Sequence, residues 1–128
     1  MGYYFTKTIT SSFEEALEKV TAALTREGFG VLTEINVNAT LKKKLDVDFY
    51  RYQILGACHP SSAYKALQVE DKIGTMLPCN VILQEKATGT VEVSAVDPLS
   101  SMMAVQNDKL NEVARDIQEK LKKVIDSL

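Results

Sequence analysis

The chain has no tryptophan, a single histidine, two cysteines and three prolines in 128 residues. Two cysteines cannot form the dense disulfide framework that holds many small secreted domains together, so stability has to come from an apolar core. A hydrophobic share of 45% supplies one, and a chain of this length buries roughly two-thirds of the surface it exposes when unfolded. No stretch is long and apolar enough to cross a membrane. The opening Met1-Gly2-Tyr3-Tyr4-Phe5-Thr6-Lys7 lacks the basic start and apolar run of an export signal. These absences point to a cytoplasmic protein with free thiols and no membrane partner. Strong positive charge is missing too: a formal net charge of -2 gives no general pull toward a phosphate backbone, so no nucleic acid partner is expected. No repeat, low-complexity tract or linker interrupts the sequence, and residues 1–128 read as one domain.

What is present is a succession of patterned segments. Tyr3 to Ile9 alternates as a strand does. Ser12 followed by Glu15 forms a capping box, and Phe13, Ala16, Leu17, Val20, Ala23 and Leu24 recur at helical spacing until Gly28 offers a left-handed stop. Phe29 to Val37 regains strand character, which predicts a crossover or a hairpin-like return onto one sheet. Asn38 or Thr40 is the expected cap of a short helix turning Leu41 and Leu45 inward and Lys42, Lys43 and Lys44 to solvent. Phe49 to Ala57 reads as a strand, Pro60 opens a helix with Ser61 or Ser62 as cap, and Asp71 to Leu77 is a loop. Asn80 to Lys86 and Thr90 to Val96 form a hairpin through Ala87-Thr88-Gly89. Asn107 or Asp108 starts a terminal helix in which Leu110, Ala114, Ile117, Leu121, Val124 and Leu128 make a seam. At about two and a half heptads it is too short for a free coiled coil, so it is expected to pack on the sheet, with a dimer contact second. The order β-α-β-(α)-β-α-β-β-α defines an α+β fold in two layers, helices on one mainly antiparallel curved sheet.

The chemistry concentrates between Ile54 and Val81, which hold both cysteines, the histidine and two of the three prolines. Cys58 is expected at the carboxyl end of a strand, just before a helix whose free N–H groups favour a thiolate. Cys79 follows Pro78 at the entry to a strand expected to be central. If those two strands are neighbours, Cys58, Cys79 and His59 offer three ligands of the kind zinc or copper accepts, with Pro60, Ser61, Pro78 and Asn80 completing the candidate site. The spacing matches no standard zinc motif, and each thiol, Cys79 more strongly than Cys58, also reads as a small buried residue. A second reading makes Cys58 an attacking thiolate with His59 as base and Cys79 as resolving thiol, although no Cys-x-x-Cys is present. A third places a small apolar or anionic ligand in a cleft rimmed by Tyr50, Tyr52, Tyr64, Met102 and Met103, with N–H groups after Pro60 receiving a carboxylate or phosphate.

Gly56-Ala57-Cys58-His59-Pro60, then Ala63, Ala66-Leu67, Ile73-Gly74 and Leu77-Pro78-Cys79-Asn80-Val81, resemble the pattern of the family known as domain of unknown function 302. With Gly28-Phe29-Gly30-Val31-Leu32-Thr33-Glu34 the resemblance spans essentially the whole chain. It implies an α+β fold with helices against a curved, mainly antiparallel sheet, often as a homodimer, and it implies no activity. Asn is common in the family's pattern at the place of His59, so no mechanism requiring the imidazole is implied. The resulting expectation is a protein that binds a small ligand or a metal such as zinc at Cys58, His59 and Cys79 rather than catalysing a demanding reaction. A thiol enzyme built on Cys58 and a purely structural dimer are the alternatives.

Overall fold

In the computed structural model, which describes residues 2–128, each strong periodic segment of the sequence becomes an element. In chain order these are β1 (Tyr4–Thr10), α1 (Phe13–Arg26), β2 (Gly30–Asn36), α2 (Val37–Leu45), β3 (Arg51–Cys58), α3 (Pro60–Val69), β4 (Cys79–Ala87), β5 (Thr90–Val96), α4 (Pro98–Ser101) and α5 (Asp108–Asp126). A 3-10 turn over Ile73–Met76 lies between α3 and β4. The strands form one antiparallel sheet in the order β1-β5-β4-β3-β2, and the fold is a two-layer α+β arrangement.

Local chemistry explains the secure elements. The Ser12 hydroxyl accepts the Glu15 N–H at 3.1 Å, which starts α1, and Gly28 ends it at φ +87, a conformation costly for residues with a Cβ. Helix α1 buries Phe13, Ala16, Val20, Ala23 and Leu24. Leu55, Val81, Leu83, Val91, Val93 and Ala95, alternate residues of the three central strands, form the facing wall of the same core. The seam of α5 also turns inward, burying Leu110, Ala114, Ile117, Leu121 and Val124, so its heptad spacing serves the packing of helix on sheet.

One expectation is narrowed and two are corrected. Of the two returns read for the chain after β1, the crossover is the one that forms: β1 and β2 occupy opposite edges of one sheet, and α1 carries the chain from one edge to the other. Helix α2 is capped by Asn36, whose Oδ1 accepts the Ala39 N–H at 2.9 Å, and it buries no residue, leaving Leu45 66% exposed. It follows the edge strand directly and packs chiefly on the ends of β2 and β3, so no further layer covers Leu41 and Leu45. The aromatic cleft does not form either. Tyr50 stacks on Phe49 at 4.3 Å between ring centroids, and Tyr52 joins them on the side of the sheet away from the core. Tyr64 and Met103 are solvent-exposed elsewhere.

Candidate functional site

The end of β3 hands over to α3 at His59, which occupies the N-cap position in an extended conformation, with Pro60 in the first turn where its missing N–H costs nothing. The serines expected as caps instead hold the histidine: Ser62 Oγ lies 2.9 Å from His59 Nδ1 and Ser61 Oγ 3.4 Å. On its other side the imidazole meets the Phe29 ring edge-on at 5.4 Å. A Cβ at position 28 would come within 3.0 Å of His59 Nε2, so Gly28 serves both the end of α1 and the seat of this ring. Burial pushes the His59 pKa below its ordinary value, helped by the nearby Lys120 and Lys65 and opposed by Asp116. The ring is therefore neutral at neutral pH. Among the described residues its hydrogen-bond partners are hydroxyls, and no carboxylate orients it as a base.

Beside His59 opens a cavity of about 280 Å³ at the end of the sheet. Ala57 and Cys79 form its floor, Ala63 and Ala66 of α3 one wall, and Val113 and Ile117 of α5 the other. The Leu77-Pro78 loop and Met102 close it, and Leu32 stands at the rim, 67% exposed. The alanines leave this space, because larger side chains at those positions would fill it to the density usual for an interior. His59 and Ser62 are the polar side chains of the wall, and they bond to each other. Among the described residues no fully buried side-chain polar atom lacks a partner.

The cysteines do lie on neighbouring strands: Cys79 pairs with Ala57, Cys58 follows one residue later at the end of β3, and both line the cavity. Among the described residues no group of three His, Cys, Asp or Glu side chains is placed to hold a metal ion, and His59 Nδ1 is already engaged by Ser62. The zinc-type centre expected from Cys58, His59 and Cys79 is not the site this geometry offers. Cys79 is also a poor nucleophile, since burial, with a smaller contribution from Cys58, pushes its thiol up to about 11. At pH 8 its thiolate fraction is about a hundredth of that of a thiol at the ordinary value. Cys79 is accordingly expected to react with iodoacetamide about a hundredfold more slowly than a short peptide thiol. Peptide mapping after timed alkylation checks this, and comparable rates would contradict the burial described.

Of the residues singled out in the sequence, Cys58, His59, Pro78 and Cys79 meet at the cavity. Ser61 is exposed and approaches the same His59 Nδ1 as Ser62 from outside the cavity lining, and Pro60 serves the helix start. Asn80 projects from the other side of the sheet with Ile82 and Gln84. Sequence reasoning missed Ser62 as a partner of His59 and missed the contribution of α5. Ala63 and Ala66 stood in the motif without a role, and the signal available was the placement of small residues one helical turn apart.

Fold and site together define a class: a two-layer α+β domain with an apolar cavity where its sheet ends against two helices. The chain belongs to the family described as "Domain of unknown function DUF302", whose model matches residues 5–128. It is similar to the crystal structure of an uncharacterized conserved DUF302 protein from Bacillus stearothermophilus, at 28% identity, with 98% of each chain covered and a TM-score of 0.90. No match is found among curated proteins.

Proposed function

We propose that this protein binds a small organic molecule through its apolar body, in the cavity between the end of the sheet, α3 and α5. The observation that supports this is the composition of the walls: carbon and sulfur nearly throughout, with His59 and Ser62, bonded to each other, as the one polar pair. Apolar cavities exclude water readily and accept apolar guests; one of about 150 Å³ is large enough for benzene. At about 280 Å³ the present cavity has room for a short acyl chain or a small ring system.

Titration with the neutral fluorophore N-phenyl-1-naphthylamine tests the reading. One probe per chain is expected. Ala63→Phe, which places a ring in the cavity from a half-buried position on α3, is expected to weaken binding at least tenfold while thermal unfolding remains cooperative. Probe binding unaffected by Ala63→Phe, or no saturable binding to the unaltered chain, would sink the proposal.

A further inference from the structure

We propose that the occupant is an amphipathic organic anion, with its apolar body in the cavity and its carboxylate at the His59 end, facing Lys65 and Lys120. This rests on the cavity being the binding site and specifies which class of molecule it selects.

The two ends of the cavity differ. Its depth is hydrocarbon, formed by Ala57, Ala66 and Ile117, whereas the end bounded by Ser62 and Val113 continues into a polar groove between α3 and α5. An apolar molecule with a charged end therefore has one orientation that buries its chain and leaves its head hydrated. The sign of the head follows from the charges at that end. Lys65 lines the groove beside Ser62, and Lys120 reaches it through its ion pair with the groove residue Asp116 at 3.0 Å. Lys65 has no ion-pair partner among the described residues, so its charge is free for a ligand. The groove also carries Glu112 and Glu119 on α5, and Lys109 and Arg115 in the same lining balance them. The first turn of α3 ends here as well, and its Ser61 and Ser62 N–H groups lie outside the intrahelical ladder, adding to the preference for a negative head.

Calorimetric titrations with hexanoate and 1-hexanol, matched in chain and differing in head, test the assignment. In low salt at pH 7, hexanoate is expected to bind about five- to tenfold more tightly, the scale of two partly solvated charge contacts. The preference should shrink as salt is added. Lys65→Gln is expected to reduce it severalfold, and Lys65→Gln with Lys120→Gln to abolish it, with hexanol affinity unchanged in both. Hexanol binding as tightly as hexanoate, or a preference that survives loss of both lysines, would overturn the anion assignment and leave the apolar site standing. Failure of both molecules to bind would remove the site and this inference with it.

Discussion

Leu121→Ala is expected to lower the unfolding free energy by about 2–5 kcal/mol, the range for truncating a fully buried leucine in a core that relaxes only partly. Leu121 is 0% exposed and lies midway along the α5 seam, in the cluster that includes Val20 and Leu24 of α1 and Leu83 of β4. Against a total of about 5–15 kcal/mol for an ordinary domain, the loss is large enough to shift the urea midpoint visibly with little change in slope. The substitution also separates the two uses of the heptad spacing read from the sequence. If the seam faced a partner chain rather than the sheet, the cost would depend on protein concentration. A concentration-independent cost is therefore expected, and a loss below about 1 kcal/mol, or one that vanishes on dilution, would contradict the packing of α5 described here.

The second large effect is expected at Gly56. A methyl group there would overlap Thr33 Oγ1 from β2 and lie 2.7 Å from Pro78 Cγ. Neither neighbour can yield easily, since Thr33 is paired across the strand with Gly56 and Pro78 leads directly into β4. Gly56→Ala is expected to cost about 3 kcal/mol, at the upper end of the range for overpacking. Because Pro78 and Cys79 also line the cavity, the displaced loop should weaken N-phenyl-1-naphthylamine binding as well. Thr33→Ala in the same chain should restore only part of the stability, because the clash with Pro78 remains. Urea unfolding and probe titration of the single and double variants measure both effects. A stability loss under about 1 kcal/mol with unchanged probe affinity would show that the close approach does not constrain the loop.

Much of the fold was legible because its signals are local. A Ser12 cap, a Gly28 stop and the regular spacing from Phe13 to Leu24 lie within one helix and need no knowledge of distant partners. The Thr90–Val96 strand coincides with the predicted span for the same reason. Errors arose where neighbours decide. Leu41 and Leu45 sit at helical spacing, but whether that face is buried depends on a layer that α2 lacks. The nearness of Cys58 and Cys79 followed from neighbouring strands, whereas the hold of Ser62 on His59 Nδ1 is a contact that only the folded chain creates. Ser61 and Ser62 were read as caps because hydroxyls often bond free N–H groups there; His59 took the capping position and drew both hydroxyls to its ring. The cavity itself was not legible, since it is defined by Ala63, Ala66, Val113 and Ile117, which come together only in the folded chain.

The strand order carries a consequence for biosynthesis. β1 pairs with β5 alone, in a ladder running from Tyr4 opposite Val96 to Thr10 opposite Thr90. β1 leaves the ribosome before the other strands of this sheet yet is among the last of them to find its hydrogen-bonding partner, and α1 emerges long before the surface it covers is complete. Until Val96 has been translated, the nascent chain carries a β-prone segment with unpaired backbone groups, and a translational pause before Thr90 would prolong its exposure to self-association.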